Sequence, residues 1–487
     1  MNRKRVFQRL ILVLGLAAIA NPARSTEVPE AFSPTPSTTF MDLWSVTPRE
    51  EYRAVWLTTI KGLDWPTFTA TTPSGEEAQR EELLRILDTL HEVGINTVFF
   101  QARLRGSVVY PSVLEPFDAI FTGKEGRAPK TFDPLQLVID ECHRRGMQCH
   151  AWIVSLQVKD NRYVDPSLAS TRRHLCDMVR EVVTNYDVDG IHLDYIRYPE
   201  RTRGQGDFRR ASVTAVVRDV YATVKSIKPW VLVSTAPLGK YRDTARYSSY
   251  GWNAWGTVFQ EAQEWMREGC IDALFPMLYY RDQHYYPFAV DWAEHSYGRH
   301  VGLGLGVYQL DRLEGSNWGI EAIRSQLEYS RQIDAFADAQ CAGVASFRAG
   351  FICKNTKGLR DEMRYFYRYP AHVPSQSWVT TPPPARPVLH GEVVGDSVRL
   401  TWSLPAVQPS TIDDGHRVCN VYWSVGEPVD TDNAMHLQMT RLTTTSLTLP
   451  RPSRNVTTYY AVTVTDRYGK ESQPARWTDV ITPIHPR

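Results

Sequence analysis

One pattern dominates this sequence: a short apolar strand followed by a helix, repeated eight times between residues 52 and 367. Each strand is a run of β-branched and aromatic residues, and each helix carries apolar residues three or four positions apart. The strands are predicted within 52–60, 95–102, 147–155, 188–199, 230–236, 271–280, 301–308 and 343–347, and the helices within 77–93, 133–145, 167–186, 208–227, 258–268, 288–296, 319–333 and 356–367. Eight such pairs in about 320 residues predict a TIM-like (β/α)8 barrel, a closed α/β fold with parallel strands.

A doubly wound open sheet is the alternative fold that also alternates strands and helices. Its dinucleotide fingerprint places a glycine-rich turn between an early strand and the helix that follows it. The glycines at 302, 304 and 306 come late in the chain, and no helix start follows them. We therefore interpret them as part of a tight strand, and the barrel is preferred.

The chain on either side of the barrel predicts a five-part organisation. At 1–20, four basic residues precede an apolar run that ends in Ala18-Ile19-Ala20, the pattern of a secretory signal peptide. Residues 21–48 are rich in Pro, Ser and Thr and predict a flexible leader, residues 49–370 form the barrel, and residues 371–387 form a stiff proline-rich linker. At 388–487 the periodicity changes to two, which predicts a β-sandwich, and the patterns around Leu400-Thr401-Trp402 and from Tyr460 to Ser472 resemble a fibronectin type III module.

The apolar run near the N-terminus is shorter than the roughly 20 residues that a membrane-spanning helix needs. No transmembrane segment is therefore expected in the mature chain. The first cysteine is Cys142, so a lipid anchor after the signal peptide is not expected. The predicted location is secreted or periplasmic.

The charge balance and the cysteine spacing exclude several classes of function. The 55 Lys and Arg residues balance 54 Asp and Glu residues, so no net field recruits nucleic acid, and no nucleic-acid partner is expected. The seven cysteines have irregular spacing and no C-x-x-C pair, which argues against a disulfide framework and a zinc site. No metal and no cofactor are expected.

Polar and aromatic side chains cluster where the predicted strands end. Catalytic groups of such a barrel lie at the carboxyl ends of its strands. Asp194 ends strand four, where a buried carboxylate is costly unless it has partners or a function. The candidate substrate-binding residues are Trp56, Trp65, Gln101, Arg103, His150, Trp152, His192, Tyr195, Arg197, Tyr279, Tyr308 and Arg348. Aromatic faces stack on sugar rings, so this set predicts a neutral polysaccharide or oligosaccharide substrate.

Hydrolysis of a glycosidic bond usually needs two carboxyl groups, one ionised and one protonated. Asp194 is the first candidate for the ionised member, because Arg197 and Arg103 are expected to keep it charged. Asp189, at the opposite end of the same strand, is interpreted as structural.

The residues alone do not separate three candidates for the second carboxyl group: Asp64, Asp282 and Glu115. Asp64 precedes a Trp-Pro turn, which it is equally placed to cap. Asp282 also fits an ordinary loop charge.

Ten ordered motifs resemble glycosyl hydrolase-like family 10, among them Gly62-Leu-Asp-Trp-Pro66 and Asp189-Gly-Ile-His-Leu-Asp194. The motifs lie at 53–59, 62–66, 96–103, 110–112, 115–116, 132–135, 143–147, 150–152, 189–194 and 276–279. This family of exported bacterial proteins includes a divisome-associated hydrolase of denuded peptidoglycan strands. The resemblance implies a TIM-like barrel with its active site at the strand carboxyl ends, and it favours Asp194 and Asp64 as catalytic residues.

Two positions differ from the family pattern. The family pattern has an acidic residue where Ser107 stands, so this chain lacks one candidate catalytic carboxylate. The same pattern has a small residue where Asp282 stands, which makes Asp282 a weaker candidate.

Two hypotheses follow. In the first, the protein is an exported glycoside hydrolase that acts on a polysaccharide such as the glycan strands of peptidoglycan. In the second, it is a catalytically silent glycan-binding protein. In either case the C-terminal module is a candidate docking site for a cell-envelope partner.

Overall fold

The computed structural model describes residues 47–159, 162–244, 247, 251–333, 339–453 and 455–480. The predicted signal peptide at 1–20 and all but the last two residues of the predicted leader at 21–48 lie outside these ranges. Within them, none of the helices combines the length and the apolar character needed to cross a bilayer. All seven cysteines are free thiols.

The first folded unit is a closed barrel of parallel strands. Its strands are β1 (Tyr52–Leu57), β2 (Thr97–Arg103), β3 (Gln148–Val154), β4 (Gly190–Asp194), β5 (Leu232–Thr235), β6 (Ala273–Leu274), β7 (Met277–Leu278), β8 (His300–Leu305) and β9 (Gly343–Phe347). Their order is β6-β5-β4-β3-β2-β1-β9-β8-β7, and β6 also pairs with β8, which closes the sheet. Because β6 and β7 share one strand position, the barrel has eight positions, and the predicted (β/α)8 fold is confirmed.

The sixth strand position differs from the prediction of one continuous strand. The ladder breaks at Phe275-Pro276, because proline has no backbone N–H to donate. The backbone N–H of Gly304 donates to the Pro276 carbonyl at 2.9 Å. A Cβ on Gly304 would lie 2.5 Å from that oxygen, and one on Gly302 would lie 2.5 Å from the Phe275 ring. The glycines of β8 therefore make room for the sixth strand, as expected of a tight strand.

The helices follow the strands along the chain. In the described residues they are α1 (Pro73–Val93), α2 (Pro134–Arg144), α3 (Ala169–Asn185), α4 (Gly206–Ile227), α5 (Ala254–Thr257), α6 (Ala262–Arg267), α7 (Tyr286–Glu294), α8 (Ile320–Ser330), α9 (Ala349–Cys353) and α10 (Leu359–Phe366). α1 begins where the Thr72 side chain accepts from Gly75 N, and it ends at Gly94 with φ of 93°. Its buried residues Leu83 and Leu87 belong to the main apolar core.

The second folded unit contains seven antiparallel strands. They are β10 (Val388–Val394), β11 (Ser397–Ser403), β12 (Val418–Val425), β13 (Leu437–Leu442), β14 (Ser446–Pro450), β15 (Thr458–Thr465) and β16 (Ala475–Asp479). They form sheets of order β10-β11-β14 and β13-β12-β15-β16. Leu400, Trp402 and Val462 share one buried core that both sheets supply. The unit is a small fibronectin type III-like sandwich, as predicted.

Asp189 links the sandwich to the amino-terminal end of the barrel. One of its carboxylate oxygens accepts from Arg441 Nη2 at 2.9 Å, and the other accepts from His143 and from Cys149 N, each at 2.8 Å. Although its burial opposes ionisation, His143 and Arg441 hold the pKa of Asp189 well below its usual value. The interpretation of Asp189 as a structural residue agrees with these contacts.

Candidate active site

A cavity lies at the carboxyl ends of the barrel strands. Its lining consists of Thr58, Ile60, Leu63, Gln101, Arg105, Trp152, Val154, Asp194, Tyr195, Arg197, Met277, Tyr279, Tyr308, Phe347 and Arg348. Asp194 supplies the carboxyl group in this lining.

Asp194 is the last residue of β4, and the alternation of that strand turns it toward the barrel interior together with His192. One carboxylate oxygen accepts from the Trp152 indole Nε1 at 3.1 Å. The other accepts from the backbone N–H of Tyr195 at 2.7 Å. Tyr195 has φ of 49°, in the left-handed region, so the chain turns sharply directly after the carboxylate. Two donors and one turn therefore fix the carboxyl group in the cavity wall.

The charge of Asp194 differs from the sequence-based expectation. Burial raises the pKa of its carboxyl group, and Arg197 with the two hydrogen bonds offsets only part of this effect. Arg103 is occupied elsewhere: Nε and Nη2 donate to Glu115 at 2.8 and 2.6 Å. Arg197 pairs with Glu200 at 2.9 Å. Asp194 is thus a carboxyl group that holds its proton to higher pH than usual.

Asp64 lies outside the cavity lining, in a buried group of hydrogen-bonded residues that we call the clamp: Thr58, Asp64, Glu314, Arg348 and Gly350. Arg348 Nη1 donates to one of its oxygens, and Gly350 N donates to the same oxygen at 2.9 Å. The other oxygen accepts from Thr58 N at 3.0 Å. Arg348 Nη2 also donates to Glu314 at 2.6 Å. The clamp joins the ends of β1 and β9, and only Arg348 and Thr58 of these residues reach the cavity.

Glu115 likewise holds a wall of the barrel. It pairs with Arg103 and accepts from His174 Nε2 at 2.9 Å. Against its burial, these two partners lower the pKa of Glu115 to about 2. Nearby, the Ser107 hydroxyl donates to Asp118 at 2.5 Å, so a carboxyl group lies beside Ser107.

Asp282 is on the surface. It begins a short 3-10 helix (Asp282–His284), its side chain is 72% exposed, and it lies 3.5 Å from Arg281. Neither Asp282 nor Glu115 lines the cavity.

Aromatic rings form one side of the cavity. Tyr279 stacks on Phe347 with ring centroids 5.5 Å apart, and Tyr308 meets Tyr279 edge-on at 5.7 Å. Phe347 was not among the residues predicted from sequence. It is the last residue of β9, on the same face as Ala345, so the strand-end rule and the two-residue period together could have found it.

Seven of the twelve predicted substrate-binding residues line the cavity. They are Gln101, Trp152, Tyr195, Arg197, Tyr279, Tyr308 and Arg348. Gln101 has a second role, because its side-chain oxygen accepts from Thr59 N and Ile60 N at 3.0 and 2.9 Å and so holds the loop after β1.

The other five predicted residues lie outside the lining: Trp56, Trp65, Arg103, His150 and His192. Trp56 Nε1 donates to His192 Nε2 at 3.0 Å, and the opposite ring nitrogen of His192 lies 2.9 Å from Ser234 Oγ. Burial lowers the pKa of His192 and that of His150, the latter to about 4, so both rings are neutral at pH 7. They fill the barrel interior below the cavity.

Trp65 lies on the outer side of the barrel wall. It is fully buried, and its indole N–H donates to the Gln79 carbonyl at 2.8 Å. Its ring packs edge-on against Phe121 at 4.9 Å.

The closed parallel barrel carries a carboxyl group and aromatic rings at the carboxyl ends of its strands, where enzymes of this fold have their active sites. The comparison with known families agrees: the model described as "Glycosyl hydrolase-like 10" matches residues 51–162 and 202–311. The chain is similar to this family over these two segments. The two matched segments contain β1–β3 and β5–β8, and β4 with Asp194 lies between them.

Two curated relatives are glycosyl hydrolases by name. Glycosyl hydrolase YngK of Bacillus subtilis is 25% identical over 397 residues, which is 70% of this chain and 76% of YngK. Glycosyl hydrolase DigH of Escherichia coli is 26% identical over 429 residues, which is 72% of this chain and 95% of DigH. The enzyme is therefore a glycoside hydrolase.

Among solved structures, an endo-β-1,4-mannanase from Thermotoga petrophila matches at a TM-score of 0.41 and 10% identity, covering 86% of this chain and 98% of that one. The fold assignment rests on the strand pairings given above.

Proposed function

We propose that this protein is an exported glycoside hydrolase that cleaves the glycan strands of peptidoglycan, with Asp194 as its general acid. One observation carries the proposal: Asp194 supplies the carboxyl group in the lining of the aromatic cavity. Because burial raises its pKa, it keeps its proton where an exposed aspartate is ionised. A general acid needs this property to protonate the leaving oxygen.

The reaction begins when protonated Asp194 transfers its proton to the glycosidic oxygen as the bond from that oxygen to the anomeric carbon breaks. The anomeric carbon then carries positive charge, and a nucleophile must attack it. In the described residues no second carboxyl group lines the cavity. The carbonyl oxygen of a 2-acetamido group on the substrate replaces that carboxylate in substrate-assisted hydrolysis. That oxygen forms a bond to the anomeric carbon. Water then attacks the same carbon as this bond breaks, and the Asp194 carboxylate takes a proton from the water.

This chemistry supports an amino-sugar polymer as the substrate, because such sugars carry the acetamido group. Peptidoglycan is the amino-sugar polymer outside the bacterial cytoplasm, and the pattern at 1–20 is that of an export signal. In this proposal the catalytic barrel spans 49–370, the linker 371–387, and the sandwich 388–487. The sandwich docks a cell-envelope partner.

The test uses the mature chain, residues 21–487, and three substrates: peptidoglycan strands freed of stem peptides, chitin oligosaccharides and mannan. We expect new reducing ends from the first substrate, products whose masses fit hydrolysis, and no such products from Asp194→Asn. Reducing ends from mannan alone would refute the proposed substrate. Equal activity of the wild type and Asp194→Asn would refute the proposed role of Asp194.

A further inference from the structure

Arg197 is an unusual feature of the cavity wall. Its side chain is 2% exposed, and it follows Asp194 by three residues. Nη2 donates to Glu200 at 2.9 Å, whereas Nε and Nη1 have no hydrogen-bond partner in the described part of the chain. Buried polar groups in proteins are nearly always hydrogen-bonded. Because Arg197 lines the cavity, a substrate group is placed to supply the missing acceptor.

The charges around the cavity favour an anionic acceptor. Three guanidinium groups line it, those of Arg105, Arg197 and Arg348, against the single carboxyl group of Asp194. Arg348 is neutralised by the clamp carboxylates Asp64 and Glu314. Arg197 has one carboxylate partner for three donor nitrogens. A carboxylate accepts strong, charge-assisted hydrogen bonds from such a guanidinium.

Tyr195 positions this guanidinium. The Arg197 Cζ lies 4.7 Å from the centre of the Tyr195 ring, within the range of a cation–π contact. Tyr195 lies between Asp194 and Arg197 in the sequence, and its backbone has the left-handed conformation. The side chains of Tyr195 and Arg197 both line the cavity. The arginine is therefore held in the wall of the cavity that Asp194 also lines.

We propose that Arg197 binds a carboxylate on the sugar at the cleavage site, so that the enzyme selects acidic glycans over neutral ones. The inference rests on the proposed hydrolase function and refines its substrate. Amino sugars with a lactyl ether and uronic acids both carry such a carboxylate. A neutral polymer such as chitin or mannan leaves the two donors of Arg197 without a charged partner.

The experiment compares kcat/KM on peptide-free peptidoglycan strands with kcat/KM on the same strands after chemical reduction of their carboxyl groups to alcohols. Hyaluronan, which carries uronic acids, distinguishes the second source of the carboxylate. The wild type should prefer the unreduced strands by about 10- to 100-fold, the worth of a hydrogen bond to a charged group. Arg197→Gln should lose this preference, because its kcat/KM should fall far more on the unreduced strands than on the reduced ones.

Glu200→Gln is the matched control. It breaks the same Arg197–Glu200 ion pair but leaves the guanidinium in place, so it should keep the preference for the unreduced strands. If Arg197 acts only through this pair, Glu200→Gln and Arg197→Gln will lose the preference together, and that outcome refutes the inference.

If Arg197→Gln folds poorly, a binding measurement with a different variant still tests the inference. In the Asp194→Asn background, which binds without cleaving, Arg197→Lys keeps the charge and should still bind unreduced strands more tightly than reduced ones. Equal cleavage of both strand types by the wild type would end the inference and leave the hydrolase proposal intact. No cleavage of any of these glycans, with no binding by Asp194→Asn, would end both.

Discussion

Replacing Asp64 by Asn decides whether this residue is a structural clamp or a catalytic group. Its two oxygens accept from Arg348, Gly350 N and Thr58 N. Asn keeps one acceptor oxygen and puts an NH2 group in place of the other. In either orientation that NH2 faces a donor, either Thr58 N or the pair of Arg348 and Gly350 N. The substitution therefore loses the charge and at least one buried hydrogen bond.

The size of the effect follows from the burial of the clamp. Breaking a buried ion pair costs about 3–5 kcal/mol in free energy of unfolding. Because Arg348 keeps its ion pair with Glu314 at 2.6 Å, we expect a loss at the lower end of this range, about 3 kcal/mol in free energy of unfolding. At about 2 °C per kcal/mol for a large domain, the melting temperature should fall by about 6 °C.

Calorimetry of the mature chain and the kinetics of glycan cleavage should be measured on the same preparation. Asp282→Asn is the control, because the Asp282 side chain is 72% exposed and Asn tolerates its left-handed φ of 55°. It should change the free energy of unfolding by less than about 0.5 kcal/mol. An unchanged melting temperature for Asp64→Asn, together with a kcat lowered by orders of magnitude, would refute the clamp and make Asp64 catalytic.

Three further predictions concern titratable groups. Asp194→Asn should lower kcat by about 10²- to 10⁴-fold, the usual contribution of a general acid. As a general acid, Asp194 should make kcat fall as the pH rises through its raised pKa, and a pH–rate profile that rises instead would exclude this role. Glu115, with a pKa near 2 against a usual 4.5, stabilises the fold above pH 4.5 and loses this effect as the pH falls toward 2. Glu115→Gln should therefore destabilise the protein in urea at pH 6 and much less at pH 2, and an equal loss at both pH values would contradict the ion pair with Arg103.

The architecture was predictable because its signals are local. Strands of period two and helices of period 3.6 can be recognised within a window of about ten residues, and eight repeats leave few topologies. The sixth strand was the main difference, because Pro276 interrupts a run whose composition is that of a continuous strand. The position of Asp194 was also local, since it follows from where β4 ends.

The site was predictable only in part, and the exceptions have a common cause. His150 and His192 belong to strands that supply the barrel mouth, but they lie one or two pairs of residues below the strand end, where side chains fill the interior. Arg103 is the last residue of the strand that contains Gln101, yet its side chain pairs with Glu115 instead of lining the cavity. The sequence predicts the strand, but it does not predict how far from the carboxyl end of the strand the cavity begins.

The local patterns of the sequence were enough to predict the order of strands and helices, the closed barrel, the C-terminal sandwich and the position of Asp194 at the end of a buried strand. Which polar groups face the cavity, and how burial shifts their pKa values, depend on the tertiary structure. Asp64 and Arg348 are 284 residues apart, so their clamp exists only when β1 and β9 are adjacent in the closed barrel. The raised pKa of Asp194 and the two unsatisfied donors of Arg197 arise in the same way, because burial is a property of the packed chain and not of its local pattern.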